Sequence, residues 1–152
     1  SSFSLEMDLK AGQTFNKVEV YAVQTPGRAF GAHYRLQRYV HNQGVTGQAE
    51  IADIVRGPYA MMALHLNTAS IGDVEVHADQ RKVVEYDSVI RNAHLVRADR
   101  APQAGFTHVD FLTENRLSEA LPMALQDFRL KLDFSATGNF SIYAESLQGA
   151  AA

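Results

Sequence analysis

Six histidines, His33, His41, His65, His77, His94 and His108, are the side chains best placed by type to hold a metal or to move a proton. A metal site needs ligands that converge, and short motifs such as H-x-H or H-E-x-x-H bring two imidazoles to one face. Neither spacing occurs in this chain. A cupin-type metal enzyme would show two histidines one residue apart and then a glutamate, and that run is also missing. His65 and His77 alternate with apolar neighbours, which predicts that they face outward from strands. The chain has no cysteine, so disulfides, thiolate metal sites and cysteine nucleophiles are excluded. There is no G-x-S-x-G elbow and no G-x-x-x-x-G-K phosphate loop. The acidic pairs Glu50/Asp53 and Glu114/Glu119 could hold calcium or serve as acid and base. Their spacing is not that of an EF-hand, and solvated strand faces and loops account for them. No catalytic, cofactor-binding or metal-ligating residue is assigned, and the chain is expected not to be an enzyme.

A second constellation is basic and aromatic. Arg28, Arg35, Arg38 and Arg56 fall close to Tyr34, Tyr39 and Tyr59. Such a mixture could face a nucleic acid. The net charge of −3, from 14 basic and 17 acidic side chains, provides no broad basic field, so no specific nucleic acid is expected. Arg and Tyr are also favoured anchors at protein interfaces. Two turns, Arg56-Gly57-Pro58-Tyr59 and Pro102-Gln103-Ala104-Gly105, are the most distinctive punctuation of the chain. Arg56, Pro58, Tyr59, Pro102, Gln103 and Gly105 are therefore the candidate interface residues, with Tyr59 and Arg56 as anchors.

The elements that would carry these residues are mostly strands. Period-two alternation runs through residues 5–9 and 18–22, which read as a strand pair around the turn at Gly12. From Tyr34 onward eight strands are expected: 34–40, with Arg35 and Arg38 as a basic outer face, then 48–54, 60–66, 74–78, 82–86, 107–112, 128–134 and one beginning at Phe140. Met62, Leu64 and Leu66 are expected on one face, and Asp79-Gln80 as a hairpin turn. The predicted core contains Leu64, Val76, Val109, Phe128, Leu130, Leu132, Phe134 and Ile142. A helix is predicted over residues 87–97, capped by Asp87 or Ser88 and stopped before Pro102. Its apolar face, Val89, Ile90, Ala93 and Val96, is expected to be buried. A short turn is expected at residues 118–121. Eight short antiparallel strands with one inserted helix predict an all-β jelly roll, two sheets packed through their inner faces.

With 152 residues, 46% apolar and 20% charged, the chain has the composition of a folded domain able to bury a core. No apolar run approaches a membrane span, and SSFSLEMDL shows no signal-peptide pattern. The first residue is not Met, which fits a processed product or a fragment.

Several segments, taken in order, resemble the double-jelly-roll major capsid proteins of corticovirus-type phages, which are tailless and enclose a membrane. They are residues 49–58 (AEIADIVRGP), 64–66 (LHL), 71–76 (IGDVEV), 83–86 (VVEY), 100–106 (RAPQAGF), 108–111 (HVDF), 117–121 (LSEAL), 126–132 (QDFRLKL) and 142–147 (IYAESL). Their collinearity spans about two thirds of the chain. The resemblance implies that residues 28–152 are the second barrel. Residues 1–27 would be the end of a preceding barrel, or an extension in its place. It further implies trimers of pseudo-hexagonal outline that tile an icosahedral shell with other capsid proteins, near an internal viral membrane. The location would be the virion, and the host cytoplasm during assembly. Calcium is implied for some members, with no site residue placed here, and no other cofactor is expected. The alternative is a carbohydrate- or receptor-binding jelly roll, lectin-like or a spike domain. The absence of Trp, a favoured sugar-stacking ring, counts against it.

Overall fold

The computed structural model describes residues 31–149 and, before them, residues 12, 17 and 19–21. The chain forms two compact units, Ser1–Phe30 and Gly31–Ala152. The strand pair expected at 5–9 and 18–22 lies outside the described residues, except that residues 19–21 have no regular structure.

The second unit contains β1 (His33–Gln43), β2 (Gly47–Ile51), β3 (Tyr59–Leu66), β4 (Ile71–Ala78), β5 (Arg81–Tyr86), α1 (Ser88–Arg97), β6 (Thr107–Asp110), β7 (Leu121–Pro122), β8 (Phe128–Phe134) and β9 (Gly138–Gln148). One sheet has the order β1-β9-β3-β6, with β7 also paired to β3. The other has the order β2-β8-β4-β5. All pairs are antiparallel. Most connections carry the chain from one sheet to the other, so the two sheets close over a shared core as a jelly roll.

Among the described residues nine strands are present where eight were expected from Tyr34 onward. The ninth, β7, is only two residues long, and its Pro122 has no N–H to give a ladder. No period-two signal can exist at that length. A 3-10 turn at Leu117–Glu119 precedes it.

Alternation explains the core. Phe128, Leu130, Leu132 and Phe134 point inward from β8, and Arg129, Lys131 and Asp133 point outward. All eight predicted core residues are buried. β3 departs from simple alternation. A bulge between Met61 and Ala63 shifts its register against β9, so Met61 joins the main core with Leu64 and Leu66. Met62, expected beside them, packs instead in a second cluster with Leu112 and Ala120. A bulge turns the side chains before it to the opposite face, which strict alternation cannot foresee. β2 also ends earlier than expected, at Ile51.

The β4–β5 turn follows backbone demand. Asp79 and Gln80 have φ of 47° and 66°. Positive φ at both central residues is the tight hairpin geometry that matches strand twist. Asp79 Oδ1 accepts the N–H groups of Gln126, at 2.7 Å, and Asp127, at 3.0 Å. The hairpin is thereby tied to the lead-in of β8.

Candidate assembly surface

The helix lies where the sequence placed it, with Asp87 accepting the Ile90 N–H at 2.8 Å as its cap. Its expected buried face is exposed. Val89 is 73% exposed, Val96 62% and Ile90 46%, and Ala93 is exposed too. The buried helical residues are Arg91 and Leu95. The Arg91 guanidinium donates to the carbonyls of Gly72 and Ile71 at 2.9 and 3.2 Å. An arginine therefore docks the helix, and a stripe of valine and isoleucine is left facing solvent.

A second apolar surface lies on the outer face of β1. Tyr34, Leu36, Arg38 and Val40 share one parity, and Tyr34, Leu36 and Val40 are each about two thirds exposed. Arg38 lies among them, donates from Nε to Ser141 Oγ at 3.0 Å, and sits 5.9 Å from the Tyr143 ring centre. Arg35 has the opposite parity and shares the side of Tyr39, whose ring packs on the core. The basic outer face expected for Arg35 and Arg38 together does not form, because three residues along a strand reverse the face. The apolar row was missed, although its even spacing is visible in the sequence. Among the described residues β1 is an edge strand of its sheet, so this row lies along a sheet edge.

The two candidate turns sit at opposite ends of β3. Tyr59 opens the strand, and Leu66 at its far end pairs with Thr107, which follows the second turn. The seven steps between them span about 23 Å. At the first end, Gly57 N–H donates to Met123 C=O at 3.0 Å and Met123 N–H donates to Tyr59 C=O at 2.8 Å. The Tyr59 hydroxyl donates to the Val55 carbonyl, while the Tyr39 hydroxyl accepts the Val55 N–H at 3.1 Å. Burial raises the Tyr59 phenol above its ordinary value. Tyr59 thus serves the fold first. Arg56 and Pro58 are exposed, and Arg56 makes no hydrogen bond or ion pair among the described residues. At the other end Pro102, Gln103 and Gly105 are all exposed, and Gly105 has φ of 82°, which favours glycine. The Phe106 N–H donates to Gln103 C=O at 3.1 Å and closes the turn.

On the outer face of the four-stranded sheet, a groove of about 450 Å³ is lined by Asp73, Glu75, Glu85, Asp87, Asp133 and Lys131, among others. Hydrogen bonds from His77 and Lys82 hold the Glu75 carboxyl below its ordinary value, and Glu85 and Glu75 raise Lys82. Of these carboxylates, Glu75 and Glu85 pair with His77 or Lys82, and Asp87 caps the helix. No group of three His, Asp or Glu among the described residues converges on a point where a metal could sit. His77 faces outward as expected and pairs with Glu75 at 2.8 Å. His65 also lies on an outer face, against His108.

Among the described residues, the jelly roll presents two exposed apolar strips, on α1 and on β1. The sequence profile of the viral coat protein P2 C-terminal domain matches residues 34–150. The chain belongs to that family. This coat-protein domain also resembles solved capsid proteins. The crystal structure of the major capsid protein P2 from bacteriophage PM2 matches with a TM-score of 0.74 at 22% identity, over 80% of this chain and 46% of that one. The STIV MCP matches with a TM-score of 0.60 at 10% identity, over 76% of this chain and 41% of that one. The domain thus spans less than half the length of either. No match was found among curated proteins. As a coat-protein domain its role is structural and not enzymatic.

Proposed function

We propose that this domain builds a viral coat by lateral self-association, most simply as trimers that tile an icosahedral shell with other capsid proteins. The observation that carries the reading is the family match over residues 34–150, on a jelly roll whose helix and β1 present apolar side chains to solvent. Exposed apolar strips of this kind mark surfaces that meet a partner. In this reading residues 1–27 end a preceding barrel or replace it, and the assembled shell lies over a membrane.

Light scattering and electron microscopy on the full-length protein test this. The expected result is a discrete oligomer that closes into particles. Arg56→Ala and Gln103→Ala should weaken it with unchanged circular dichroism, since both side chains are exposed. A full-length protein that stays monomeric at every concentration would remove the proposal.

A further inference from the structure

His65 and His108 stand directly opposite each other on β3 and β6. Their Nδ1 atoms are 2.8 Å apart and the rings meet edge to face. Such a contact requires one Nδ1 to carry a hydrogen and the other to be bare. The neutral pair meets that condition. One added proton still meets it, because the bare Nε2 of the donor ring can take the proton while the other ring's Nδ1 stays bare. Two added protons cannot. Both Nδ1 atoms then carry hydrogen, and two imidazolium cations face each other across adjacent strands, where like charges are destabilising.

The surroundings offer little relief. From β9, Glu145 Oε2 lies 3.4 Å from His65 Nε2, and Tyr143 is the register partner of His65. From the connection ahead of β6, Phe106 stacks on His108 at 5.9 Å, and Gln103 closes the same hollow of about 320 Å³. From β1, Leu36 lines that hollow and Arg38 lies over Tyr143. From α1, the Arg91 charge opposes a proton on His108. Asp110, two residues along β6, is committed to Arg100. His108 Nε2 is buried with no partner. Among the described residues, Glu145 is therefore the one carboxylate that reaches the pair, and it reaches His65. Burial first, then His65 and Arg91, hold His108 below the ordinary imidazole value.

We propose that the His65–His108 pair is an acid-released latch on the β6 edge of the sheet. β6 has four residues and, among the described residues, pairs with β3 alone, so little else in that ladder secures it. It leads directly from the turn that carries Pro102, Gln103 and Gly105. Release of the latch frees both the edge and that turn. Its consequence for a coat, an acid-loosened contact, rests on the coat reading above. The latch itself does not.

Amide exchange on the full-length protein tests it, with rates corrected for the intrinsic effect of pH. Between about pH 7.5 and 4 the protection of residues 107–110 should fall roughly tenfold or more, while β8 keeps its protection. His108→Asn retains a side-chain N–H near the Nδ1 position and cannot be protonated. Its β6 protection should stay flat across the same range. Should that variant not fold, His65→Asn asks the same question from the other strand. Flat protection in the parent, or an equal fall in the Asn variant, overturns the latch. An acid-sensitive β6 in a protein that never assembles supports the latch and counts against the coat.

Discussion

Arg91 Nη1 lies 2.9 Å from the Gly72 carbonyl, and this bond joins α1 to β4 while the helix valines face solvent. Arg91→Ala removes it together with the bond to the Ile71 carbonyl. Bonds from a charged donor contribute more than neutral ones, and buried carbonyls left bare add a penalty. The expected loss is about 2–3 kcal/mol in urea denaturation. Exchange at residues 88–97 should rise toward coil values. An unchanged midpoint would mean that Leu95 alone holds the helix.

The valines should behave in the opposite way. Val96→Lys changes a side chain that is 62% exposed. Stability of the isolated protein should move by less than about 0.5 kcal/mol. Assembly, followed by light scattering, should weaken markedly if this stripe is covered in the coat. Unimpaired assembly would place the contacts elsewhere.

Leu130 is fully buried between the sheets. Leu130→Ala should cost about 2–5 kcal/mol, as lost transfer energy plus an unfilled cavity. Lys131→Ala, one residue on and on the outer face, should stay within about 0.5 kcal/mol. Equal effects at the two positions would contradict the assigned faces.

Asp79→Ala removes the side-chain acceptor for two backbone N–H groups and leaves alanine, which visits the left-handed region less readily, at φ 47°. A loss of about 1–3 kcal/mol is expected. Asp79→Asn, which tolerates the left-handed region and keeps an acceptor, should recover most of it. Thermal unfolding of the two variants makes the comparison.

His108 gives stability a pH dependence of known sign. Its folded value lies below the unfolded 6.5. The unfolded chain therefore binds a proton that the folded chain resists, and stability rises with pH in that interval. The contribution is complete above 6.5 and is lost as pH falls through the lower folded value. Denaturation midpoints of the parent and of His108→Asn should therefore differ in slope below 6.5 and run parallel above it.

The strands of this jelly roll were legible because each reports its own environment. Phe128 to Phe134 alternates without interruption, and an alternating strand with one wet face can take only one orientation. Asp87 announced the helix start, because a cap acts on its own first turn. The bulge at Met61–Ala63 was not legible. It depends on how β9 pairs with β3, and local pattern carries no record of a partner strand. The two-residue β7 is too short to have a period. Most instructive is α1, where spacing correctly marked a helix but pointed to the wrong buried face. Which face a helix turns inward depends on what the sheet offers it, and here that is the bare carbonyls of Ile71 and Gly72, which an arginine satisfies and a valine cannot. The candidate turns show the same division. Arg56 and Gln103 could be named from sequence, but that they lie at opposite ends of β3 follows only from the pairing of Leu66 with Thr107. The approach of His65 to His108 follows from that same ladder, since residues 43 positions apart meet only when two strands do.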